Sequence, residues 1–146
     1  MTEVEFSRIL PLEEFRARSI EKVITATAAE CEKLAHRLQL LKVESLKAKL
    51  TASRESSGII VVTGELEAKI EQACGKTLEP LSIFIKAPFE VHYITSNRMK
   101  YYAQEHDIHA VNAPDLLETD YLDLGEIVAQ SLSLEIDPFV SKEDMI

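Results

Sequence analysis

Three long stretches of strict alternation govern what this chain can become. Leu46, Ala48, Leu50 and Ala52 alternate with Lys47, Lys49, Thr51 and Ser53. In the next stretch Ile60, Val62, Leu66, Ala68 and Ile70 fall on one side, and Thr63, Glu65, Glu67, Lys69 and Glu71 on the other. In the third, Leu81, Ile83, Ile85, Ala87, Phe89, Val91 and Tyr93 all take odd positions. A period of two sends successive side chains to opposite faces, so each stretch predicts a strand that buries one face and wets the other. Short links, among them the turn Arg54-Glu55-Ser56-Ser57-Gly58, predict antiparallel pairing. At ~3.3 Å per residue, a dozen residues span about 40 Å, which is long for a flat sheet in a small domain. Such strands are expected to twist, bend or coil, with Gly64 and Pro88 as bulge or bend sites. The expectation is a long, strongly curved antiparallel sheet, barrel-like in shape.

Helical periodicity appears on either side of these strands, which makes the fold class α+β. Thr27 and Glu30 have the spacing of a capping box. Ile24, Ala28, Cys31, Leu34 or Ala35, Leu38 and Leu41 then recur every three or four residues as one apolar stripe. Cys31 lies on that stripe and reads as a small buried hydrophobe. After the strands, Asp123 and Glu126 repeat the capping spacing, with Leu124, Ile127, Val128, Ser131 and Leu132 as an inner face. Leu134 and Ile136 extend that helix or form a last short strand, and Pro138 stops it. The expectation is therefore one helix before and one after the main strands. Val4 and Phe6 predict a short strand over residues 3–9, interrupted by Pro11. Residues 12–23 read as a connection, and residues 95–114 as a long aperiodic excursion.

The chain has 146 residues, 46% of them hydrophobic, which suits a single domain over residues 1–140 with a flexible tail at 141–146. No apolar run approaches the ~20 residues of a membrane helix. The acidic start, Met1 to Glu5, lacks a basic n-region, so the cytoplasm is the expected compartment. Cys31 and Cys74 belong to no paired spacing, which fits a reduced setting. The net charge of -9 is unevenly spread. Residues 1–103 hold fourteen acids and fifteen bases, whereas residues 104–146 hold eleven acids and one base, Lys142. An acidic end repels phosphate and attracts basic partners, or simply keeps the protein soluble.

Few residues have the spacing of a reaction centre. Gly58, Gly64, Gly75 and Gly125 match no phosphate-cradling loop, and no zinc-protease helix or nucleophile elbow is present. His106 and His109, flanked by Glu105 and Asp107, could bind metal if His92 joined them from the neighbouring strand. A small metal-dependent hydrolase built on these three histidines is the alternative function; a solvated loop is preferred. Cys74 has Lys76 nearby but no histidine, so a structural thiol at a strand end is the expectation. Arg98, Lys100, Tyr101 and Tyr102 interleave cations and rings in the way that holds single-stranded RNA. Two cations argue weakly, and tyrosines that cover a sheet edge are the favoured reading. Lys47, Lys49, Lys69 and Lys86 on the wet strand faces read as solvation or edge protection.

Three ordered stretches carry a resemblance. They are Val62-Thr63-Gly64-Glu65-Leu66-Glu67-Ala68, then Gln72-Ala73-Cys74-Gly75-Lys76-Thr77-Leu78-Glu79-Pro80-Leu81, then Leu122-Asp123-Leu124-Gly125-Glu126-Ile127-Val128 continuing to Leu132-Ser133-Leu134-Glu135-Ile136-Asp137-Pro138. In this order they resemble the YceD family, over residues 25–140 with the first helix included. The resemblance implies a non-catalytic role in accumulation of large-subunit ribosomal RNA, in a bacterial-type or organelle-related setting. It implies a ribosomal protein or large-subunit precursor RNA as partner, with no cofactor, small-molecule substrate or membrane. Many relatives have a second cysteine three residues after the first, and more near the C-terminus, which suggests a metal site. Here Thr77 takes that position and no cysteine follows Cys74, so the chain looks like the alphaproteobacterial branch, where the pair is broken. Structural work is expected of the matching residues. Gly64 would permit a bend or close approach, Leu78 and Pro80 would fix the turn between two core strands, Asp123 would cap the helix, and Gly125 would let another chain pack closely.

Overall fold

In the computed structural model, which describes residues 5–15, 18–107, 110 and 113–138, the three alternating stretches are the three long strands. They are β3 (Lys42–Arg54), β4 (Ile60–Ala73) and β5 (Pro80–Thr95). All pair antiparallel, Arg54 facing Ile60 across the first hairpin and Ala73 facing Pro80 across the second. Their apolar residues point to one face. Leu46, Ala48, Leu50, Ile60, Val62, Leu66, Ala68 and Ile70 are all buried there. The other face carries opposite charges in register: Lys47 faces Glu67, Lys49 faces Glu65, and Lys86 lies 3.6 Å from Glu65 and 3.9 Å from Glu67. Cross-strand neighbours of this kind bring opposite charges together on the wet face of the sheet.

Three features differ from the sequence expectation. First, the sheet is open and mixed. Its order is β2-β3-β4-β5-β6, with β2 (Ile20–Thr25) antiparallel to β3, and β6 (Asp115–Leu117) parallel to β5 at Tyr93–Thr95. The two edges do not join, so no barrel closes among the described residues. Second, the ladder runs unbroken through Gly64–Phe89 and Glu65–Pro88, so neither residue makes a bulge; the register shift lies between Val43 and Ser45. Gly64 is instead a point of close approach, where an added Cβ would collide with the Lys49 carbonyl oxygen and lie 2.8 Å from Cζ of Phe89. Pro80 and Pro88 lie on the strand that β6 covers only at its end, and a proline in such a strand directs its missing N–H away from the ladder. Third, the described residues hold three α-helices. α1 (Ala28–Arg37) and α3 (Leu124–Glu135) flank the long strands as expected, but the stretch read as aperiodic contains α2 (Ser96–Glu105). No residue of α2 is buried, so its sequence has no apolar stripe to betray a helix.

The N-terminal third also departs from its pattern. The pairing strand is β1 (Ile9–Pro11), which includes the proline expected to interrupt it; residues 3 and 4 lie outside the described residues. β1 pairs with β7 (Tyr121–Asp123), and the stretch read as a connection holds a 3-10 turn (Leu12–Phe15) and β2. β2 is an edge strand on which Ile24 alone is buried, so its sequence does not alternate. Leu134 is helical and 86% exposed, and Ile136 is the C-cap of α3 rather than part of a strand. The expected tail at 141–146 lies outside the described residues.

α1, α3 and the 3-10 turn cover the apolar face of the sheet, and Phe6, Leu10, Phe15, Leu34, Leu122, Val128 and Leu132 join the strands in one core. The cover is tied down by a short N-terminal strap. Asp123, the N-cap of α3, accepts from the Arg8 backbone N–H and the Ser7 hydroxyl, both at 2.8 Å, and from the Glu126 N–H at 3.4 Å. The Leu124 N–H returns a bond to the Arg8 carbonyl. Gly125 lets the strap in: a Cβ there would collide with the Phe6 carbonyl oxygen and sit 2.8 Å from its carbon. The close packing expected at Gly125 is therefore with a distant part of the same chain. In a helix, alanine is otherwise favoured over glycine by about 1 kcal/mol. Gly125→Ala is nevertheless expected to destabilise the fold by ~1–3 kcal/mol, because the obstructing atoms are backbone. Urea unfolding would measure it, and an unchanged or raised midpoint would contradict this packing.

Candidate functional site

The capping box of α1 is formed. Thr27 Oγ1 accepts from the Glu30 N–H at 3.2 Å, and Glu30 Oε1 accepts from the Thr27 N–H at 2.9 Å. Glu30 also takes the Arg8 guanidinium in a fork, at 2.7 and 2.8 Å. That fork, acting against partial burial, holds the Glu30 carboxyl down at about 2. A second fork joins Arg37 to Glu126 at 2.7 and 2.8 Å, with Glu5 at 3.2 Å, and lowers the Glu126 carboxyl. Arg8 and Arg37 are thus structural residues that bridge α1, α3 and the N-terminal strap. Nothing in their sequence spacing marked them, since their partners are 22 and 89 positions away.

The histidines do not assemble. His92 stands on β5 with Nε2 2.9 Å from Glu90. His106 follows α2, its ring stacked on Tyr102 at 4.3 Å and 10°. The ten residues of α2, about 15 Å long, lie between them in the chain. His109 is outside the described residues. Among the described residues no three His, Cys, Asp or Glu side chains are placed to hold a metal ion. Burial pushes the Cys31 thiol up, as suits a packing residue. Cys74 is buried at the end of β4, where its N–H donates to the Glu79 carbonyl and its carbonyl accepts from the Leu78 N–H. Leu78 stands in the same turn. Its backbone makes the turn, at a left-handed φ of 62°, yet its side chain is 76% exposed and adds nothing to the core. Pro80 starts β5, as the turn reading requires.

Arg98, Lys100, Tyr101 and Tyr102 all lie on α2. Tyr101 is exposed, with the Lys100 ammonium 5.2 Å from its ring centre, whereas Tyr102 is half-buried against His106. Arg98 lies across the β3–β4 hairpin: a Cβ on Gly58, whose φ is +94°, would be 3.2 Å from its Cγ and Cδ. That hairpin follows Arg54, the residue sequence reasoning missed. The Arg54 guanidinium is 5.8 Å from the Phe15 ring centre, and its Nε is buried with no hydrogen-bond partner among the described residues. The same end of the sheet holds a cavity of about 580 Å³, lined by Arg54, Thr95, Asn97, Leu12 and Tyr121, with Glu13 and Asp120 also on its wall. Among the described residues neither Arg54 nor Arg98 nor Lys100 has a carboxylate within ion-pair reach. A depression of about 480 Å³ on the wet sheet face is, by contrast, lined by Lys47, Lys49, Glu65 and Glu67, which neutralise one another.

No family model matches the chain, and no curated protein or solved structure matches it. Among the described residues no helix is long and apolar enough to cross a membrane.

The Arg8–Glu30 fork has a pH signature. An unpaired glutamate titrates near ~4.3, so a carboxyl lowered on folding adds stability above that pH and loses it as the pH falls toward about 2. Glu30→Gln is expected to be less stable than the parent near neutrality, and the gap in urea midpoint should close over that acid window. A gap that persists at low pH would assign the loss to the cap rather than to the ion pair.

Proposed function

We propose that this chain is a non-catalytic factor of large ribosomal subunit biogenesis that acts by holding precursor RNA. The observation that carries the reading is where the family-like motifs fall. Gly64 sits where β3, β4 and the Phe89 ring converge, Gly125 and Asp123 receive the N-terminal strap, and Cys74 to Pro80 form the bonded turn between β4 and β5. The first two are contacts between segments distant in sequence with no room for a Cβ at the glycine, and the third is a local bonded turn. Three short motifs that coincide with such positions support a shared architecture with the YceD family better than motifs scattered over loops would.

The same observation leaves the motif residues engaged in packing and capping, as a binding scaffold requires. RNA is favoured over a basic protein because Arg54, Arg98 and Lys100, with no carboxylate in ion-pair reach among the described residues, lie at the end of the sheet where α2 begins, beside the exposed Tyr101. Several acids of the C-terminal stretch are already committed within the fold: Asp123 to a helix cap and Glu126 to Arg37.

Affinity purification of the tagged full chain, with identification of bound RNA and protein, tests the reading. Enrichment of large-subunit precursor RNA is expected, together with a loss of large subunits on gradients after deletion of the gene. Recovery of a basic ribosomal protein without RNA would move the partner to the acidic surface around Asp115, Glu118 and Asp120. Recovery of neither, with unchanged gradients, would overturn the proposal.

A further inference from the structure

We infer that the hairpin end of the sheet is a phosphate site for single-stranded RNA, in which Arg54 is the principal ligand and Arg98 a second cation; the inference rests on the RNA reading above. The argument begins with how this chain treats its other arginines. Arg8 and Arg37 each meet a carboxylate through two parallel hydrogen bonds. Among the described residues Arg54 meets none, although acids outnumber bases by nine in the sequence. Its Nε is buried without a hydrogen-bond partner among the described residues, and the guanidinium lines the cavity with its charge uncompensated, so an arriving anion would find Nη donors not already engaged by a carboxylate. Its Cζ lies 5.8 Å from the Phe15 ring centre, and the planar fork of a guanidinium suits bidentate capture of a phosphate.

The surroundings supply more donors of the same kind. α2 begins beside this cavity, and its N-cap, Thr95, makes no side-chain capping bond. The Thr95 hydroxyl donates instead to Asn97 Oδ1, which leaves the first N–H groups of a ten-residue helix for an anion. Arg98, draped over Gly58, continues the positive track, and Tyr101 with Lys100 one turn on offers a face for a base. Glu13 and Asp120 line the same cavity without an ion pair to Arg54. They oppose an anion, so neutralising one should tighten binding.

Fluorescence anisotropy of the full chain with a labelled oligouridylate at low salt tests the site. The parent should bind, with an affinity that falls steeply as salt rises. Arg54→Gln should weaken binding about tenfold or more and reduce the salt slope by about 1. Arg54→Lys, which keeps the charge but loses the fork, should recover only part of the loss. Arg98→Gln, an exposed change that leaves the core intact, should also weaken binding, Asp120→Asn should strengthen it, and Lys22→Gln on the far edge strand should do neither. If the parent binds and both arginine variants bind as well as it does, the site is wrong while the RNA reading stands. If the parent does not bind at low salt, both are wrong.

Discussion

Three strands of thirteen, fourteen and sixteen residues that are apolar on one face alone cannot persist in water unless that face is covered. Everything else in the structure serves that cover. α1 and α3 lie far apart in sequence, and each buries apolar residues in the core, Cys31 and Leu34 on α1 and Ile127, Val128 and Leu132 on α3. What fixes both is the strap from Phe6 to Arg8, which is pinned to α3 through Asp123 and to α1 through Glu30. Because the backbone of Arg8 serves one helix and its side chain the other, the two caps and the N-terminal strap form a single mechanical unit. Gly125 is the condition for that unit, since only a residue without a side chain admits the Phe6 backbone.

Charge in this protein follows the same economy of placement. The wet face of the sheet is a checkerboard of lysine and glutamate in register, so it presents little net field. The forked arginines are spent on helix ends. Arg54, Arg98 and Lys100 have no carboxylate within ion-pair reach among the described residues, and Glu13 and Asp120 stand on the wall of the same cavity as Arg54.

Much of the frame was legible in the chain because it rests on local rules. Period two at 46–52, 60–70 and 81–93 named the core residues of three strands, and Thr27-Glu30 and Asp123-Glu126 named the starts of two helices, each within reach of its own side chains. The failures share a cause. β2 and α2 were read as connections because an edge strand with one buried residue and a helix with none have no periodic signal to offer. Pro11 and Pro88 suggested interruption and bending, but a proline at an edge breaks nothing. Leu78 was expected to fix the turn between two core strands; the turn uses its backbone, at a left-handed φ of 62°, and leaves its side chain in solvent.

The site shows the same division more sharply. Arg98, Lys100 and Tyr101 could be picked out as a run of neighbouring residues, yet two cations in a row of polar residues mean little. The sequence by itself determined the strands, the face each buries, two helix starts and the uneven distribution of charge, because these depend on neighbours a few positions away. Only the tertiary structure decided that the sheet stays open, that Arg8 and Arg37 are paired, and that Arg54 is left unpaired beside α2. Those outcomes depend on which distant groups meet once the chain has closed, and no spacing along a chain encodes the distance between residues 54 and 97 in space.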